Sequence, residues 1–157
     1  SENFKNLSKM MELNKNLRKI NLSENDIGKT EGNLFELKNG FEKNEFIKIL
    51  NLKNNLIGKN VNDLKILYDA LINNTSLQKL NLSWNLIGNN IDDLRYLYDF
   101  LMYNQNIFSV NLRNNQIGKY KTDEKYIKEL VQLNLRVKNI KIEENNIPSE
   151  DIYESIK

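Results

Sequence analysis

The chain has 157 residues with 23 basic and 21 acidic side chains, a net charge of +2, and neither cysteine nor histidine. Disulfides and thiolate metal sites are therefore excluded, and zinc and general-base chemistry lose their commonest residues, so no cofactor is expected and an enzyme is disfavoured. No run approaches the ~20 apolar residues that span a bilayer, and the first 16 residues lack a charged-then-apolar signal pattern, so the chain reads as soluble with no membrane partner.

In chain order, an opening helix over 1–16 carries Phe4, Leu7 and Met11 at i, i+3, i+7 spacing. A pattern then begins at Leu17 and returns every 30 residues: Leu17, Ile20, Leu22, Asn25, Ile27, Gly28; Ile47, Leu50, Leu52, Asn55, Ile57, Gly58; Leu77, Leu80, Leu82, Asn85, Ile87, Gly88; Ile107, Val110, Leu112, Asn115, Ile117, Gly118; and Val137, Ile140, Ile142, Asn145, Ile147. Five copies in unbroken register, starting at 17, 47, 77, 107 and 137, specify a solenoid of stacked repeats forming a single domain over 1–157.

Within a copy, apolar and polar residues alternate, as in Leu80-Asn81-Leu82, which predicts a short strand with one buried face; strands recurring at this interval must be parallel. The following segment switches to helical spacing: Leu34, Leu37, Phe41; Leu64, Leu67, Leu71; Leu94, Leu97, Leu101. Asp63 and Asp93 precede two of these stripes and are expected to cap free helical amides. In the next copy the first stripe position is Glu124, ahead of Ile127 and Val131, so that helix is expected to start late. Pro148 stands where earlier copies carry glycine, and Ile152 and Ile156 suggest a partial closing helix over 148–157.

Asn25, Asn55, Asn85, Asn115 and Asn145 stand where the chain leaves the sheet, and a stacked carboxamide there supplies donor and acceptor to buried turn groups. Their expected role is structural. The glycines at 28, 58, 88 and 118 read as positions of positive φ or close approach, since no phosphate-loop pattern surrounds them.

These residues resemble the leucine-rich repeat, and the 30-residue helical version resembles the ribonuclease-inhibitor-like class shared by Ran GTPase-activating proteins, NOD-type receptor repeats and tropomodulin's actin-binding domain. The resemblance implies an α/β horseshoe with parallel strands on the concave face, helices on the convex face, and a protein partner on the concave wall. The entry Asn74-Thr75-Ser76-Leu77 is similar to all of these families and does not choose among them. No separate capping domain is expected at either end, which fits a fragment or a small array, and the free ends leave an end-to-end dimer open.

On that geometry the second, third, fifth, seventh and eighth positions of each copy face outward. They hold Arg18, Lys19, Lys48, Lys53, Lys79, Arg113, Lys138 and Lys141 against Glu24, Glu143 and Glu144, five more positive charges than negative on a chain of net +2. Such a face steers acidic partners. The only tryptophan, Trp84, is expected there between Lys53 and Arg113 as an interface anchor, with an internal stack on Arg113 as the alternative. Ile49 and Phe108 also point outward, at the far end of the strands. Asn21, Asn51, Asn81 and Asn111 form a column expected to hydrogen-bond as a ladder across the strands, or else to offer Asn81 and its neighbours as a polar track to a partner. Tyr68 and Tyr98 are expected to cover the convex core.

The function these observations favour is a non-catalytic protein-interaction module binding an acidic protein partner through Trp84, Arg113, Lys53, Lys79, Ile49, Phe108, Lys19 and Asn81. The family resemblance leaves two alternatives, a GTPase regulator resembling Ran GTPase-activating proteins and an actin-binding module resembling the tropomodulin repeat domain. Nucleic acid is disfavoured by the modest charge and few exposed aromatics, and Glu143 and Glu144 point to opposite sides of a strand, which does not make a hydrolase pair. Sequons such as Asn21-Leu22-Ser23 and Asn81-Leu82-Ser83 would place glycans on the strand face in a secretory compartment, so a cytoplasmic location is expected.

Overall fold

A computed structural model describes residues 2–133 and 136–147. The order of elements is α1 (Glu2–Leu13), β1 (Lys19–Asn21), a 3-10 turn (Ile27–Lys29), α2 (Asn33–Lys43), β2 (Ile49–Asn51), α3 (Asp63–Leu71), β3 (Lys79–Asn81), α4 (Asp93–Tyr103), β4 (Ser109–Asn111), α5 (Asp123–Leu133) and β5 (Asn139–Lys141). The five strands form one parallel sheet in sequence order. Register follows the repeat with no slip, Ile20 pairing with Leu50, Leu50 with Leu80, Leu80 with Val110 and Val110 with Ile140. Each helix packs on the next, so the chain is an α/β solenoid with strands on the concave wall and helices on the convex one.

The core is the space between the two walls. Repeat positions one, four, six and eleven point into it; in the central copy Leu77, Leu80, Leu82 and Ile87 are at most 2% exposed, and the helical stripes Leu64, Leu67, Leu71 and Leu94, Leu97, Leu101 close against them. Tyr68 and Tyr98 are half-buried on the helix side, their rings 6.0 Å from those of Tyr96 and Tyr126.

Strands of three residues leave most of each repeat irregular, and buried irregular backbone needs partners. Two asparagine columns supply them. The Oδ1 of Asn85 accepts from the amides of Asn55 and Ile57 in the preceding copy, while its Nδ2 donates to the Leu52, Leu82 and Ser83 carbonyls. Asn55, Asn115 and Asn145 bond alike. Asn25 differs, being exposed with its amide on the Ser23 carbonyl alone, because no earlier strand stands beside it. A second column, Asn44, Asn74 and Asn104, sits past the helix C-termini. Asn74 donates to the Phe41 and Asn44 carbonyls and accepts from the Ser76 and Leu77 amides, and its counterparts do the same. Just before the fifth copy the Arg136 guanidinium donates to the Leu101 and Asn104 carbonyls.

Two expectations are corrected here. The carboxylate of Asp63 does not cap helical amides: it reaches backward to the amides of Gly58 and Asn60 at 3.0 and 3.2 Å, and neither N-cap residue, Asn62 or Asp92, makes a side-chain cap bond. Asp93 and Asp123 hold the same two amides in their own copies. That tie also explains why α5 starts on time at Asp123: the aspartate that locks the loop is present, and Glu124 is solvated rather than buried. At Gly58, φ is +95° and an added Cβ would lie 2.5 Å from the Leu86 carbonyl oxygen, so both conformation and stacking distance require glycine. Pro148 and the expected closing helix lie outside the described residues.

Candidate functional site

The strand face is built by register. The third-position row runs Lys19, Ile49, Lys79, Ser109, Asn139 across adjacent strands, with neighbours about 4.8 Å apart. Lys19 and Lys79 are exposed and Ile49 half-buried between them. Phe108, half-buried at the entry to β4, lies under the Lys79 ammonium, 5.7 Å from nitrogen to ring centroid. Four of the expected binding residues, Lys19, Ile49, Lys79 and Phe108, are thus gathered at one end of the sheet. Phe46, which the sequence reading passed over, adds to this end: the Arg18 guanidinium lies 5.2 Å from its ring. The signal was its place one residue before the strand entry Ile47.

The asparagine column beside this row is not a continuous ladder. Among the described residues only Asn51 bonds across, donating to Asn21 Oδ1 at 2.8 Å. The Oδ1 atoms of Asn51, Asn81 and Asn111 instead accept from the amide two residues ahead, Lys53, Ser83 and Arg113 respectively. This local bond closes the bend at the strand end, and at Asn21 it coexists with the cross-strand one, Oδ1 accepting from the Ser23 amide at 3.1 Å as well.

At the opposite end of the strands, Arg113 is not a free flank for Trp84. Its Nε and Nη2 donate to Glu143 at 2.8 and 2.9 Å, a bidentate pair between adjacent copies. This bond holds the Glu143 carboxyl below its usual range and raises the Arg113 guanidinium. The pairing was visible as a thirty-residue offset between opposite charges. Lys53 occupies the same column two strands away and is half-buried. Trp84 makes no stack with Arg113; it is 55% exposed, with φ at +58°.

Among the described residues no cluster of acidic side chains could hold a metal ion, and no helix is long and apolar enough to cross a membrane. The strand face is open, with side chains that can attract charge and bury apolar surface.

A thirty-residue αβ unit with leucine-type core positions and an asparagine column at the strand exit is the architecture on which comparison turns. A family model described as Leucine Rich repeat matches residues 13–30 and 73–93. The chain carries leucine-rich repeats. The solved structures that share the fold include these two. One is titled Leiomodin-1 Actin-Binding Site 2, with a TM-score of 0.76 and 17% identity, covering 98% of this chain and 84% of that one. The other is the tropomodulin C-terminal domain of Caenorhabditis elegans, with a TM-score of 0.71 and 16% identity, covering 99% of this chain and 87% of that one. No curated protein matches this leucine-rich-repeat chain by sequence.

Proposed function

We propose that this leucine-rich-repeat protein, as one unit over 1–157, is a non-catalytic module that binds an acidic segment of a cytoplasmic protein partner on its strand face. The observation that carries the reading is the row Lys19, Ile49, Lys79 with Phe108 beneath Lys79, which interleaves two exposed cations with apolar surface at one end of the sheet. Charges so placed steer encounter and fix register, while the apolar side chains between them supply the area that water leaves. Asn81 and Lys53 extend this surface toward the strand ends, and Trp84 and Arg113 form its margin.

The test compares wild type with Lys19→Glu/Lys79→Glu as immobilised bait at low and moderate salt, the retained proteins being identified by mass spectrometry. A retained protein with an acidic segment, lost from the double variant and at moderate salt, supports the reading. Identical retention by both baits overturns it.

A second reading rests on the leiomodin-1 structure, which by its title is that protein's actin-binding site 2. If the likeness extends to function, this chain binds actin. Cosedimentation with filamentous actin and a pull-down of monomeric actin test it, and failure of both removes it.

A further inference from the structure

The eighth position of every repeat, just past the strand, is left-handed: φ is +61° at Glu24, +53° at Asn54, +58° at Trp84, +55° at Asn114 and +61° at Glu144. The chain bends there while its amide still bonds to the next copy, as Trp84 N–H does to the Arg113 carbonyl at 2.9 Å. Asparagine tolerates this conformation and bulky side chains do not. Trp84 therefore strains its backbone, and it contributes little to the core, being 55% exposed. Strain of this kind, at a side chain that is more than half exposed, points to recognition.

The surroundings give the chemistry. Trp84 borders an open concavity shared with Asn54, Leu56, Leu86, Asn114 and Glu144. The eighth- and tenth-position columns that make up this rim hold Glu24, Asp26 and Glu144 and no basic residue; Asp26 is paired with Lys29 at 3.1 Å, and Glu144 is the acidic residue that lines the concavity itself. The sheet columns beside it hold eight basic residues and one acidic residue, Glu143, already engaged by Arg113. Charge is segregated: cations on the strand wall, anions on the rim.

We propose that the rim is a second recognition site, which takes an arginine side chain from an extended segment of a protein partner onto the face of Trp84. A planar guanidinium stacks on an indole and is attracted by its quadrupole. The Asn54 and Asn114 carboxamides offer acceptors on either side in the same column, and Glu144, whose carboxylate accepts from Asn114 Nδ2, supplies the charge. The site meets the proposed acidic-partner face at its Trp84 margin but does not use Lys19 or Lys79, and its preference is of opposite sign.

Because Trp84 is the only tryptophan, its emission reports this site alone. The experiment titrates the whole chain with acetyl-Gly-Arg-Gly-Arg-Gly-amide, its citrulline isostere and its glutamate counterpart. The expected result is a saturable change in emission with the arginine peptide, absent with glutamate, and weakened roughly threefold to fivefold by Glu144→Gln, the scale of an exposed charge contact. Trp84→Asn, read by calorimetry, should lose the arginine peptide yet melt at a higher temperature, since the strain is gone. Lys19→Glu/Lys79→Glu should leave the titration unchanged, which separates this site from the sheet face. Citrulline binding as tightly as arginine, or arginine binding that survives Trp84→Asn, overturns the proposal.

Discussion

The carboxamide of Asn85 touches five backbone groups in two copies, so its loss should cost more than that of any exposed side chain. Asn85→Ala leaves the Asn55 and Ile57 amides and the Leu52, Leu82 and Ser83 carbonyls without this partner, an expected loss of about 1–3 kcal/mol. Asn25→Ala removes one bond to the exposed Ser23 carbonyl and should stay within about 0.5 kcal/mol. Urea unfolding of the two variants checks the contrast, and equal losses would contradict the stacked role. A second residue-scale outcome concerns Asp93. Burial pushes its carboxyl up to about 6, against the pull of bonds from Asn90 and Gly88, while in the unfolded chain it titrates at 3.8. The native state thus binds this proton more tightly, and linkage makes stability fall as pH rises from about 4 to 6. Asp93→Asn keeps an oxygen for the Gly88 and Asn90 amides and cannot titrate. The wild type should therefore lose stability relative to the variant across that window, measured by thermal melts at successive pH values, and a constant difference would contradict the assignment.

At the scale of elements, α1 docks on α2 through Gly40, whose amide donates to Ser8 Oγ at 2.9 Å. An added Cβ there would lie 2.8 Å from the Ser8 carbonyl oxygen and 2.7 Å from the Met11 methyl. Helix propensity alone favours alanine by about 1 kcal/mol, but the clash is with backbone and costs about 1–3 kcal/mol. Gly40→Ala should accordingly lower the melting temperature, and a rise would show that the helices are not so closely packed. The elements themselves were legible in the sequence. Alternation gave the strands and the i, i+3, i+7 stripes gave the helices, because each buries one face against the other wall. What escaped was polar. Counting apolar positions made Glu124 look like a late helix start, whereas the helix is timed by Asp123 and its bonds to Gly118 and Tyr120. The asparagines at 44, 74 and 104 recur at the same thirty-residue interval as those of the strand exit, yet only their carbonyl partners show what they do. The candidate face was legible in its residues and less so in their alliances: the row through Lys19, Ile49 and Lys79 follows from register, while Arg113 was spent on Glu143 and Trp84 stood on a rim of opposite charge.

For the whole molecule, repetition sets both stability and binding. Each copy contacts only its neighbours, so a core loss in the centre is felt on both sides; Leu82, fully buried, should cost about 2–5 kcal/mol as Leu82→Ala. The same one-dimensional stacking lines up side chains that are thirty residues apart, which is how a chain of net charge +2 presents a strongly basic wall and an acidic rim. The most direct test is the affinity of a captured partner for wild type, for Lys19→Glu/Lys79→Glu on the strand face and for Lys125→Glu on the helix side, measured across a salt series. The expected result is a loss of about tenfold or more and a flatter salt dependence for the strand-face variant, with Lys125→Glu indistinguishable from wild type. A partner that ignores the strand-face charges and loses affinity with the helix-side one would place recognition on the convex wall and contradict the account.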